Sequence, residues 1–312
     1  MPEFQITKEY LGQATHLVYL GPLFEEVLRA DTYAQGPGST VASVIEHGPL
    51  TGMAGVANIG TDRDWAGSTF NQANWFAFGR MAWDPPTNAR AVAAEWSELT
   101  FGPDPRITRT TVEMMMTSRA AVVNYMTPLG LLHVMATGHH YGPAPWVHDL
   151  ARPEWNPVYY HRADAAGIGF DRTRSDSNAI LQYAPEMAAR LNDMATTPEE
   201  SLLWFHHVAW DHRMRSGRTL WAELAARYQL GVEQVAGMRR DWQTLAPLVD
   251  AERFAKTGAF LAVQQREAEW WRDASFAYFS RVSGRALPSG YPPLAHTLDY
   301  YEAERFDFAP GR

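Results

Sequence analysis

The sequence contains no cysteine. This excludes a disulfide scaffold, a thiol nucleophile and any zinc or iron–sulfur centre held by thiolates. With no basic segment and no apolar h-region visible at the start, it leads us to expect a cytoplasmic protein. No apolar run approaches the roughly 20 residues that cross a bilayer, so no membrane span is expected. A basic excess is missing as well. Against 27 Lys and Arg stand 35 Asp and Glu, a net charge of −8, whereas nucleic-acid binders need a basic face. There is no G-x-S-x-G, Walker loop or H-E-x-x-H motif. Gly167-Ile168-Gly169 follows no strand pattern and lacks a third glycine in register, so it is no dinucleotide fingerprint. The adjacent His139 and His140 lack the i, i+4 spacing of a helical zinc pair. No metal and no cofactor is therefore expected.

What remains is ordinary globular material: 312 residues, 46% hydrophobic and 20% charged. That suffices for a sizeable core and suggests about two domains at roughly 150 residues each. Residues 3–7 alternate as a strand, and His16 to Leu20 form an apolar run closed by Gly21-Pro22. Thr40 to Ile45 reads as a short helix, Met53 to Ile59 as a buried strand, and residues 70–82 as a helix. The order is that of parallel α/β units. Asp84-Pro85-Pro86-Thr87 marks a boundary, with Thr87 the expected N-cap of the next helix. Beyond it the period is helical over 88–98, 109–126, 179–194, 219–245 and 251–282, with Asp250 as N-cap of the last. Residues 127–177 and the tail from Pro288 read as irregular.

Two βα units cannot close a barrel or cover both faces of a sheet. The first 86 residues thus read as the end of a larger α/β domain, and residues 87–312 as a mainly helical domain. Four groups could carry chemistry. Glu3 and Glu9 flank the first strand, and catalytic groups of a barrel sit at the carboxyl ends of strands. Asp62 and Asp64, with Arg63 and Trp65, follow the second strand, on which Asn58 is a polar group in need of partners. The segment from His139 to Trp146, with Trp155, Tyr159, Tyr160, His161, Arg162 and Asp164, is either a loop packed by aromatics or a carbohydrate-facing surface. Trp204 to Arg213 is dense in aromatics and reads as core or subunit interface.

Seven strings carry a resemblance: EFQITKEYLG (3–12), GVANIG (55–60), NQANWFAFGRMAWDP (71–85), MTPLGLLHVMATGHHYGPAPW (126–146), YYHRADAAGIGFDR (159–172), LLWFHHVAWDHRMRSGRTLW (202–221) and EWWRDA (269–274). In these the chain resembles the α-glucuronidases of glycoside hydrolase family 67. The resemblance implies removal, with inversion, of glucuronic acid or its 4-O-methyl ether linked α-1,2 to the terminal xylose of xylo-oligosaccharides derived from glucuronoxylan. It also implies an active site in a (β/α)8 barrel, of which residues 1–86 would be the last βα units, and a helical carboxy-terminal domain, residues 87–312, that forms a homodimer. Glu9 matches a candidate base of the family, with Glu3 as the fallback. Trp146, Trp155 and Arg162 fall in the loop expected to meet xylose. The general acid and the uronate-binding cations would lie on earlier strands, so the chain is expected to be a shortened enzyme, inactive alone. The other expectation is a non-catalytic helical module for binding or dimerisation.

Overall fold

The computed structural model describes residues 2–6, 15–47, 52–56, 66–135 and 141–306. In chain order the elements are β1 (Glu3–Gln5), α1 (Gly21–Arg29), α2 (Val41–Glu46), β2 (Ala54–Val56), α3 (Thr69–Trp83), α4 (Ala89–Phe101), α5 (Pro105–Met126), α6 (Pro157–His161), β3 (Gly167–Ile168), α7 (Pro185–Asn192), α8 (Leu202–Phe205), β4 (Val208–Ala209), α9 (Leu220–Gln243), α10 (Ala251–Ser283) and α11 (Leu298–Ala303). Helix dominates. Among the described residues the sheets are two pairs, β1 with β2 and β3 with β4. No described helix is long and apolar enough to cross a membrane.

The chain divides into two compact units. One comprises Met1–Ala120 with Gln234–Gln265, the other Ala121–Glu233 with Arg266–Pro310. In the first unit β1 and β2 run parallel, with Phe4 opposite Gly55. The Ile6 N–H extends the ladder to the Val56 carbonyl at 2.8 Å. Val56 is 48% exposed, so β2 is not the buried strand its small apolar residues suggest; the pair lacks a covering third strand among the described residues. Helix α1 packs on α2, α3 and α4, burying Phe24 and Leu28. The sequence reading misses α1 because Gly21-Pro22 looks like a turn. Proline in a first turn is instead a good helix start, where its missing N–H costs nothing.

Capping explains the other boundaries. Thr40 caps α2 by accepting from the Ser43 N–H at 3.2 Å. Helix α4 is capped by Asn88, which accepts from the Ala91 N–H at 2.8 Å, not by Thr87. The Thr87 hydroxyl donates to Asp84 at 2.6 Å and closes the preceding turn. Helix α5 starts at Pro105, earlier than its apolar period, beside Asp104, which accepts from the Arg106 N–H. Asp250 caps α10, accepting from the Arg253 N–H at 3.0 Å. The expected helix 179–194 is split: Pro185 holds Ala184 extended, leaving a 3-10 turn before α7. The tail contains a short helix, α11, capped by Thr297. A buried carboxylate fixes this region, since Asp273 accepts from Arg272 at 2.7 Å and from the Ala295 N–H at 3.0 Å.

The second unit has an aromatic core. Trp210 and Phe205 are buried, which puts the segment after Trp204 largely in the interior. Trp221 and Tyr228 of α9 pack on Phe276 of α10 at 4.9 and 5.4 Å.

The first unit is organised around a segment that belongs to neither helix nor sheet. Leu17 to Leu20 are buried and lie outside any helix or strand before α1. Their backbone groups are satisfied by side chains. Asn74 of α3 accepts from the Leu20 N–H and donates to the Val18 carbonyl, both at 2.8 Å. Gln264 of α10 accepts from the Leu17 N–H at 2.9 Å and donates to its carbonyl at 3.3 Å. Ser118 of α5 accepts from the Tyr19 N–H at 2.9 Å. Buried backbone left unpaired is costly, roughly 1–3 kcal/mol per group. Asn74→Ala orphans two such groups and is expected to lower stability by roughly 2–5 kcal/mol in chemical denaturation. Ser118→Ala orphans one and costs less. A loss below about 0.5 kcal/mol for Asn74→Ala, within the range of an ordinary surface change, would remove this role.

Candidate functional site

The structure gathers the candidate loop residues of the second unit into one assembly. Trp146, Trp155 and Arg162 lie on a stretch tied together by two polar side chains. Asn156 accepts from the Leu150 N–H at 2.8 Å and donates to the carbonyls of Arg152 and Leu150. This closes the loop that carries Trp155. His161 accepts from the Ala163 N–H through Nδ1 at 3.0 Å, which leaves Nε2 to donate to the Pro145 carbonyl at 2.8 Å. One hydrogen bond therefore joins the residues immediately before Trp146 and Arg162. His161 is buried, and burial pushes its pKa down to about 4. It is neutral at ordinary pH, as the two hydrogen bonds require.

The three side chains go to different neighbours. Trp146 is half-buried against Ala274, Ala277, Leu298 and Tyr301. Trp155 is 50% exposed, with the Arg152 guanidinium 5.4 Å from its ring centre. Arg162 adopts a left-handed backbone (φ 41°), pairs with Asp176 at 3.0 Å and lies 3.3 Å above the Phe170 ring. Glu3 is exposed on β1 opposite Ala54. Glu9, Asn58, Asp62, Arg63, Asp64, Trp65, His139 and His140 lie outside the described residues.

Sequence reasoning misses the centre of this surface. Arg172 is buried between two rings, its guanidinium carbon 3.6 Å from the centre of Trp204 and 4.1 Å from that of Phe170. It donates to the Trp204 carbonyl. Further rings adjoin it: Tyr160 stacks near Trp204 at 6.0 Å and His133 on Tyr160 at 4.3 Å, while Arg162 also lies over Phe170. Burial lowers the Arg172 pKa to about 10, so the cation persists at neutral pH. Each cation–π contact contributes about 0.5–2 kcal/mol. The i, i+2 spacing of Phe170 and Arg172 was the available signal, because alternate residues of an extended chain share a face.

Such a surface has a definite chemistry. The exposed faces of Trp155 and Tyr159 can take up the C–H face of a sugar ring. Guanidinium edges in fixed planes can donate to hydroxyl or carboxylate oxygens.

Comparisons with known proteins give two family matches that together run over residues 1–292. Residues 1–65 match the model described as Glycosyl hydrolase family 67 middle domain, and residues 66–292 the one described as Glycosyl hydrolase family 67 C-terminus. Alpha-glucuronidase A of Aspergillus tubingensis is 36% identical over 310 residues, covering 97% of this chain and 36% of the relative. Probable alpha-glucuronidase A of Aspergillus niger matches to the same extent. That of Neosartorya fischeri is 37% identical over 293 residues, covering 91% of this chain and 34% of the relative. The chain thus spans about a third of the length of these curated relatives.

The depressed His161 pKa makes a signed prediction. As pH falls, the unfolded chain, with an ordinary histidine value near 6.5, takes up the proton before the folded one does. The stabilisation present above pH 6.5 is therefore lost between 6.5 and about 4. Between pH 7 and 5 the wild type should lose roughly 2 kcal/mol more than His161→Gln, read as the difference between the two denaturation series. Parallel pH profiles would contradict the buried neutral histidine.

Proposed function

The chain belongs to glycosyl hydrolase family 67, and on that premise we propose that it is part of an α-glucuronidase. The proposed reaction releases glucuronic acid, or its 4-O-methyl ether, from the α-1,2 linkage to the terminal xylose of xylo-oligosaccharides, with inversion. One observation carries this reading: the family match runs across both the middle and the C-terminal models, together with 36% identity to a protein named alpha-glucuronidase A.

The parallel β1–β2 pair supports reading residues 1–86 as the end of a (β/α)8 barrel. Parallel neighbours need a crossover connection, and α1 and α2 lie between these strands. Residues 87–312 are then the helical domain, through which a homodimer forms.

Inversion requires a carboxylic acid to protonate the leaving oxygen and a carboxylate to activate water on the opposite face, about 6.5–9.5 Å apart. Glu9 is the proposed base. It follows β1 by four residues, at the end of the strand where barrel chemistry sits. Glu3, at the start of the same strand, is the fallback. The resemblance puts the acid on an earlier strand, in the part of the relatives that this sequence does not match. The 312 residues alone are therefore proposed to be inactive. Trp155 offers its exposed face to xylose, Arg162 its guanidinium edge to hydroxyl oxygens, and Trp146 backs the same loop.

In a full-length protein containing this sequence, Glu9→Ala should lower kcat by about 10²–10⁴-fold on aldotriouronic acid. KM should change little, because a base that activates water acts on the transition state. Glu3→Ala should keep most of the rate. The reverse pattern would move the base to Glu3. Proton NMR of the fresh product should show the β-anomer first; the α-anomer would contradict inversion. Release of uronate by the 312-residue chain at a rate near that of the full-length protein would overturn the division of the active site.

A further inference from the structure

The backbone of Arg162 departs from what the end of a helix ordinarily takes. Helix α6 ends at His161, and Arg162 closes it in the left-handed region (φ 41°, ψ 37°), its N–H bonded to the Val158 carbonyl at 3.1 Å. That position is ordinarily glycine, sometimes asparagine, because a Cβ is crowded there. Arginine in such a place holds strain, and strained residues persist only where the surroundings over-determine them. His161 supplies the surroundings. Its ring is buried against Tyr278 and Phe279 of α10, at 5.5 and 5.6 Å between ring centres. Nδ1 accepts from the Ala163 N–H at 3.0 Å, and Nε2 donates to the Pro145 carbonyl at 2.8 Å. The His161 carbonyl accepts from the Gly169 N–H at 2.6 Å. Both neighbours of Arg162 are thus held, His161 by its own packing and Ala163 by the His161 ring.

The contacts Arg162 makes leave most of its side chain unused. Its pair with Asp176 at 3.0 Å is exposed on both sides, and such pairs contribute little. The contact with Phe170 uses a face of the guanidinium and none of its N–H groups. A guanidinium carries five N–H donors in one plane. Among the described residues one hydrogen bond, to Asp176, engages them, and the side chain is exposed. We propose that the left-handed turn, locked by His161, aims the Arg162 guanidinium at a substrate hydroxyl and so makes His161 a positioning residue for binding; this rests on the function proposed above. A donor fixed in direction before the substrate arrives loses less freedom on binding, and the affinity gains by that amount. His161 is 1% exposed, so it acts on the substrate only through Arg162. Glycine would fit the turn better and leave nothing to aim.

The test is kinetic, in a full-length protein containing this sequence, with aldotriouronic acid as substrate. Arg162→Ala and Arg162→Gly should both raise KM about tenfold, with the smaller part of the effect in kcat. Of the two, Arg162→Gly should be the more stable in chemical denaturation, its unfolding equilibrium constant about fivefold lower, because glycine relieves the strain and alanine keeps it. His161→Phe keeps a ring against α10, removes both ring hydrogen bonds and should raise KM about fivefold. In an Arg162→Ala background it should add nothing to KM, since no guanidinium is left to aim. A merely structural histidine would give the same factor in both backgrounds. Circular dichroism checks folding, and His161→Gln takes the place of the Phe variant if that one does not fold. Uronate release with wild-type KM in folded Arg162→Ala, or equal factors for His161→Phe in the two backgrounds, would overturn the positioning role and leave the function standing. Equal stability of the Gly and Ala variants would overturn it as well, by removing the strain. No uronate release by the wild-type full-length protein would overturn the function and the positioning role together.

Discussion

The first unit depends on satisfying the backbone of a buried segment that has no strand beside it among the described residues. Leu17 to Leu20 give up water without joining a sheet, and each buried N–H and C=O must then find a partner or cost free energy. Asn74, Ser118 and Gln264 supply the partners from three different helices. Each of these side chains is itself buried, so the arrangement works only when α3, α5 and α10 are all in register. The Tyr19 hydroxyl adds a fourth tie, donating to the Ala89 carbonyl at the start of α4 at 2.9 Å. The ring leaves no room for a side chain at position 21, where a Cβ would stand 2.4 Å from it. Glycine at that position lets α1 begin directly after the segment.

This constraint bears on the proposed chemistry through chain connection. The chain is held at Ile6 by the β1–β2 ladder and at Leu17 by Gln264. Glu9, the proposed base, lies between these two points in the sequence. The second unit uses the same device at its own loop. Asn156 and His161 bond backbone groups that no regular element serves, and thereby hold Trp155 and Arg162. Polar side chains in place of ladders are what let an irregular surface be rigid.

The long helices were legible from apolar period, and the start of α10 from its cap Asp250, because both signals are local. The split at Pro185 and the start of α1 were not, since proline both ends and begins helices and only the surroundings decide which. Asn74 was hidden for a different reason. It occupies the buried face of α3 beside Phe70, Ala77 and Met81, where an apolar residue is the usual expectation, and its partners lie 54 and 56 residues away. The candidate loop was legible as a dense aromatic string. Its organisation around Arg172 was not, because the sandwich between Phe170 and Trp204 joins segments more than thirty residues apart. The close approach of the Trp270 ring to Gly142 is likewise encoded by no spacing rule.

Native-state hydrogen exchange of the Leu17, Tyr19 and Leu20 amides tests this account most directly. If side chains of three helices close these hydrogen bonds, the amides exchange only when the first unit unfolds globally. Their protection should then equal that of the slowest amides in α3 and respond equally to denaturant. Exchange through local opening, faster by orders of magnitude than in α3 and insensitive to low denaturant, would contradict it.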